Sequence, residues 1–168
     1  MKTWKRVLAT ALVSLLAAIG AIVVATPASA SVWGPFYIHN LYIAYCIDVP
    51  NASFAAGEQL KLTDVCSTAT TYYFIDTDLV NPNQYFIQVI FNGYYIQPGA
   101  PLLYNSTIIQ WEPSPSIEQR WHTIAVAGGG FWIQNLYSGY CLKAESLSPG
   151  AYIRQGTCVN DHYTVWWI

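Results

Sequence analysis

An all-β protein built from three four-stranded units about a pseudo-threefold axis is what this sequence predicts, on three observations. The first is an internal repeat. F-W-I-Q-N-L-Y-S-G-Y-C-L-K-A at residues 131–144 matches F-Y-I-H-N-L-Y-I-A-Y-C-I-D-V at residues 36–49 without a gap. A more divergent copy, Y-F-I-Q-V-I-F-N-G-Y-Y-I-Q-P, begins between them at Tyr85. Self-similarity at this period marks one supersecondary unit used three times. The second is texture: short runs of Ile, Val, Tyr, Phe and Trp alternate with Gly, Pro, Asn and Ser, the pattern of strands and turns. The third is the lack of any sustained 3.6-residue period with charged flanks, so little helix is expected.

The repeat places the strands. In unit one they are expected at 35–39, 44–49, 59–63 and 72–76. In unit two they fall at 85–89, 94–98, 107–111 and 120–125, and in unit three at 131–135, 140–144, 151–155 and 164–168. Residues 78–83 and Gly128-Gly129-Gly130 are the joints between units, too short for interdomain linkers. One four-stranded unit cannot bury its own apolar face, whereas three about an axis close a barrel capped by hairpins. The repeated aromatic-x-Ile strand (Phe36-Tyr37-Ile38, Tyr85-Phe86-Ile87, Phe131-Trp132-Ile133) is the expected source of the core. Trp121 and Trp166 are expected to be buried with it.

Residues 1–30 stand apart from the repeats. Lys2, Lys5 and Arg6 precede a 19-residue apolar run at 7–25, and Ala28-Ser29-Ala30 is a small-residue cleavage signal. The run approaches bilayer-spanning length, so an uncleaved anchor is the rival reading. The expectation is a signal peptide over 1–30 and a secreted, extracellular single domain over 31–168, with repeats at about 32–80, 81–127 and 128–168. Three of the seven Lys and Arg lie in the leader, so residues 31–168 carry four basic residues against nine acidic ones, a formal charge of −5. Nucleic acid rewards clustered basic residues, so neither nucleic acid nor an anionic membrane surface is an expected partner.

The four cysteines permit three pairings. Cys46 and Cys141 occupy the same repeat position. Cys66 and Cys158 each precede an aromatic, Phe74 and Trp166, by eight residues. Unit two lacks both members together, with Tyr95 and Pro113 in their places. The repeats therefore choose Cys46–Cys66 and Cys141–Cys158, each contributing roughly 3 kcal/mol by restricting the unfolded chain. There is no C-x-x-C, and His39, His122 and His162 lack ligand spacing. No metal or cofactor is expected. Glu112 and Glu118 flank a Pro-Ser loop and read as solvated carboxylates, and no nucleophile motif is present, so the chain is not expected to be an enzyme.

These residues resemble the ricin B-type lectins. Y-C-I-D-V (45–49) and Y-C-L-K-A (140–144), each followed by a Gly, an apolar strand and a second Cys, look like units of that family. Gln119-Arg120-Trp121 supplies its Q-x-W signature, with Tyr72-Tyr73-Phe74 and Thr164-Val165-Trp166 as the corresponding triplets. The resemblance covers residues 33–168. It implies a β-trefoil that binds galactose-type or xylan-type sugars without metal or catalysis. The family's site pairs an Asp in C-x-D, which bonds two adjacent hydroxyls, with an aromatic on the third strand and a polar pair before the Q-x-W strand. A sugar presents one C–H face and a hydroxyl edge, which suit a ring and a carboxylate.

Carried across, the pattern breaks in each unit. Unit one has Asp48 but Thr63 or Asp64 for the ring and Thr71-Tyr72 for the pair. Unit two has Trp111 and Glu118-Gln119 but Gln97 for the Asp. Unit three has Lys143, Gly156 and Tyr163-Thr164, and reads as structural only. The implied carbohydrate ligands are therefore Gln97, Trp111 and Gln119 in unit two and Asp48 in unit one. The alternative is a β-trefoil that has lost sugar binding and serves as a protein-interaction or inhibitor scaffold. Burial of Trp111 is the feature that favours it.

Overall fold

The computed structural model describes residues 30–67, 70–76 and 83–168. The expected leader and cleavage site apart from Ala30, and all of the first joint except Asn83, lie outside the described residues. Among the described residues, thirteen strands form one sheet system. In unit one they are β1 (Val32–Tyr37), β2 (His39–Asn40), β3 (Cys46–Asp48), β4 (Lys61–Thr63) and β5 (Thr71–Asp76). Unit two contributes β6 (Gln84–Val89), β7 (Tyr95–Pro98), β8 (Ile108–Trp111) and β9 (Arg120–Ala125). Unit three contributes β10 (Phe131–Asn135), β11 (Cys141–Ala144), β12 (Ile153–Gly156) and β13 (Trp166–Trp167). Each expected strand is present. The first is broken at Ile38 into β1 and β2.

The first and fourth strands of the units close a ring. β1 pairs β5, β5 pairs β6, β6 pairs β9, β9 pairs β10, β10 pairs β13, and β13 returns to β2, all antiparallel. Closure leaves these strands no free edge. The second and third strands form hairpins, β3 with β4, β7 with β8 and β11 with β12. The three hairpins meet where the third strands bridge one another, through Gln59 to Ile109, Lys61 to Tyr152 and Thr107 to Arg154. This is the β-trefoil.

The core is made of equivalent residues from the three units. Ile38, Ile87 and Ile133 sit on the first strands, Ile47, Ile96 and Leu142 on the second, and Leu60, Ile108 and Ile153 on the third, all with no exposure. The Ile of the aromatic-x-Ile motif supplies the deep layer. Its aromatic partners Phe36, Tyr85 and Phe131 are only partly buried.

The fourth-strand layer corrects the sequence alignment. Trp121 pairs with Asn135 and Trp166 with Asn40. The equivalent pair in unit one joins Val89 to Tyr72, not to Phe74. Trp121 donates its indole N–H to Ile96 O at 3.0 Å and Trp166 donates to Leu142 O at 3.0 Å. The Tyr72 hydroxyl donates to the matching carbonyl, Ile47 O, at 3.3 Å. The unit-one triplet is therefore Thr70-Thr71-Tyr72, two residues earlier than the expected Tyr72-Tyr73-Phe74. Counting eight residues from Cys66 fails because the loop after it is shorter than the loop after Cys158.

Both expected disulfides are present, Cys46–Cys66 and Cys141–Cys158. His39, Cys46 and Cys66 bring ligand-type atoms within 4.8 Å of one another, but both sulfurs belong to the disulfide and offer no thiolate to a metal.

Candidate carbohydrate site

The unit-two site is built on the β7–β8 hairpin. Tyr95 lies opposite Trp111 and Gln97 opposite Ile109. Directly opposed residues share a face of the sheet, so Tyr95, Gln97, Ile109 and Trp111 all point away from the core. Their neighbours Ile96, Pro98, Ile108 and Gln110 point into it and are buried. Gln97 and Trp111 are diagonal neighbours, about 7–8 Å apart at Cα in such a ladder. Trp111 is 43% exposed, which leaves ring surface open to solvent. Its far edge rests against the backbone at Gly57, where an added Cβ would lie 3.4 Å from Cζ3.

Gln119 is not on this surface, and the expectation that it contacts a ligand is corrected. It has no exposure, and its amide is fully used inside the unit. Ser114 N donates to its Oε1 at 2.7 Å. Its Nε2 donates to Glu112 O and to Gln97 Oε1, each at 2.8 Å. A backbone N–H can only donate, so Ser114 fixes the orientation of the Gln119 amide. Gln119 in turn fixes Gln97: the Gln97 Oε1 is occupied and its NH2 group is left for the half-open surface. The family Asp presents acceptors at this position, whereas Gln97 presents donors.

The 3-10 turn Ile117–Gln119 positions this network. Ser116 caps it by accepting from Glu118 N at 3.3 Å, and its hydroxyl also donates to Glu118 Oε2 at 3.2 Å. Glu118 is thereby drawn into the loop, while Glu112 is exposed at its start. The same position ties back the preceding loop in the other units. Thr70 accepts from Ser67 N at 2.8 Å, and Thr164 donates to Asp161 Oδ1 at 2.9 Å.

Unit one keeps the carboxylate without the ring. Asp48 is half-buried on β3, opposite Lys61, and Thr63 lies opposite Cys46 where unit two has Trp111. Burial raises the Asp48 carboxyl above its ordinary range, partly offset by a backbone hydrogen bond from Val49. The polar pair moves with the corrected alignment, to residue 69, outside the described residues, and the buried Thr70.

Unit three is closed by its own side chain. A Cβ at Gly156 would meet Lys143 Cδ at 2.5 Å and Lys143 Cβ at 3.1 Å. The lysine stem thus lies across the glycine, in the place a stacking ring would take. Its ammonium reaches the Tyr163 ring, 5.7 Å from the centroid, so Lys143 covers both other positions of the site pattern. Unit three thus presents neither a ring nor a carboxylate at these positions.

Sequence reasoning missed one concave feature. A cleft of about 450 Å3 lies between residues 55–59, Lys61 and Tyr152. Gly57 alone had signalled a turn there, and nothing in the repeat linked it to Tyr152 of unit three.

No protein-family model and no curated protein matches this chain. Solved structures do. A designed threefold-symmetric protein, ThreeFoil, matches at TM-score 0.72 and 19% identity, over 77% of this chain and 94% of that one. A Polyporus squamosus lectin, solved bound to a human-type influenza-binding epitope, matches at 0.67 and 13% over 83% of this chain, which spans 48% of that lectin. The C-half of an earthworm R-type lectin, in complex with GalNAc, matches at 0.60 and 16%, over 79% of this chain and 95% of that one. With the threefold core and the closed ring of strands, these likenesses establish the fold: the chain is a β-trefoil.

Proposed function

We propose that the protein is a secreted, non-catalytic carbohydrate-binding module that takes a glycan or polysaccharide at unit two. The observation that carries this reading is the half-exposed Trp111 ring beside Gln97, whose amide is aimed by the buried Gln119. A sugar's C–H face stacks on the ring while its oxygens accept from the Gln97 NH2 group. The lectins that share the fold, one bound to a sialylated epitope and one to GalNAc, support the same class of ligand. Glu112 and Glu118 serve the loop, and binding requires no metal. Secretion rests on the leader and its cleavage signal. The second reading, a protein-binding scaffold, is favoured by the closure of unit three over Lys143. A glycan array probed with the full chain and with Trp111→Ala separates the two. The proposal expects glycan signals that the variant loses and that chelators leave unchanged. Signals retained by the variant move the site elsewhere, and an array with no signal favours the scaffold.

A further inference from the structure

The cleft beside Lys61 and the unit-two site lie on one continuous surface. The chain ahead of β4 runs along β8: Gly57 N donates to Gln110 O at 2.8 Å, Gln110 N donates to Glu58 O at 3.0 Å, and Gln59 bridges to Ile109. Gln59 and Lys61 therefore share the outward face of Ile109, and Gly57, in the turn before them, lines the same cleft. At 57 there is no side chain, and any Cβ would stand at the edge of the Trp111 ring. The backbone there has φ +88°, a conformation that favours glycine.

At the far end Tyr152 forms a fixed wall. Lys61 Nζ lies 4.9 Å from its ring centroid and Arg154 Cζ 5.6 Å. Arg154 is itself held by Glu145 at 3.2 Å and by Asn105 O at 3.2 Å. Lys61 has no ion pair within 4.0 Å among the described residues, although Asp48 stands opposite it on β3. Glu58 lines the same cleft. Lys61 and Glu58 thus both line a concave surface beside the Tyr152 ring, and an ammonium donor and a carboxylate acceptor are groups that hold sugar hydroxyls.

We propose that Trp111 and this cleft form a single groove for a chain of sugars. Trp111 and Gln97 hold one residue, the open backbone at Gly57 lets the chain pass, and Glu58 and Lys61 hold a later residue. The ligand is then an oligosaccharide or the interior of a polysaccharide rather than one terminal sugar. This rests on the unit-two reading and deepens it. The groove joins units one, two and three, so it cannot arise from one repeat alone.

The test is calorimetric titration of the full chain with xylo-oligosaccharides and β-1,3-galacto-oligosaccharides, from monosaccharide to pentasaccharide. Lys61→Met and Glu58→Gln are run alongside, with thermal unfolding as the check on folding. Lys61→Met keeps the stem against Tyr152, and if one variant fails to fold the other decides. The groove predicts affinity that rises with chain length. Each variant loses roughly tenfold for the pentasaccharide, the worth of one charge-assisted hydrogen bond, and keeps the monosaccharide affinity. Equal affinity at all lengths, or variants matching the wild type on the pentasaccharide, overturns the groove and leaves the unit-two site standing. Failure of every probe, the monosaccharides included, overturns both.

Discussion

The Gln119 side-chain amide donates to the Gln97 side-chain carbonyl at 2.8 Å, from a position with no exposure of its own. The Gln of Q-x-W reaches the outer surface only through Gln97, whose amide this bond orients. Gln119→Leu strands Ser114 N, Glu112 O and Gln97 Oε1 without their partner. It should cost about 1–3 kcal/mol, read by denaturant unfolding, and weaken glycan binding as well. Gln97→Glu keeps an acceptor for Gln119 but removes the outward donors, so stability should change little while affinity falls. An affinity gain in Gln97→Glu would show that the ligand donates at this position.

Tyr72 takes the place that Trp121 and Trp166 take in the other units. Its hydroxyl is fully buried, and burial, with Asp48 nearby, pushes its pKa well above the ordinary phenol value. Tyr72→Phe should cost about 1 kcal/mol by leaving Ile47 O unmet. Tyr72→Ala should cost about 3–5 kcal/mol, as for a buried aromatic. Both are measured by thermal or denaturant unfolding.

Unit three should contribute no binding. Lys143→Ala opens the space over Gly156 without supplying a ring or a carboxylate, so calorimetry should give the wild-type glycan affinity and stoichiometry. A lost or gained site in that variant would assign unit three a role that its geometry does not provide.

Asp48 should make stability pH-dependent in a particular direction. Its folded-state pKa is raised by burial, so the folded chain holds this proton more tightly than the unfolded chain does. The contribution of Asp48 to stability therefore falls as pH rises through the carboxylate range, and the ionised form is the costly one. Asp48→Asn should be more stable than the wild type at neutral pH. The difference should shrink as pH falls below the ordinary carboxylate pKa. Urea unfolding at both pH values measures it, and a variant less stable at neutral pH contradicts the sign.

The trefoil was legible because the repeat carries its own alignment. Equivalent Ile residues, paired cysteines and Trp121 with Trp166 all fall where the period puts them. The unit-one triplet was misaligned because loop length is free to vary between strands while register is not. The exposure of Gln119 was misread for a related reason. A sequence places a residue on a strand or turn, but only the loop from Ser114 to Glu118 shows that the amide is enclosed. The cleft at Lys61 was illegible because it joins residues from different repeats across the axis, a contact that no period within one unit encodes.

In the proposed complex a sugar lies on Trp111. The most direct measurement is the set of tryptophan indole N–H resonances of the 15N-labelled chain, titrated with a glycan that the array identifies. Trp33 and Trp167 are 56% and 53% exposed and lie outside the unit-two site, so they serve as internal controls. Stacking at Trp111 predicts a saturable shift there with Trp33 and Trp167 unmoved. A shift at Trp33 or Trp167 with Trp111 unmoved would contradict it.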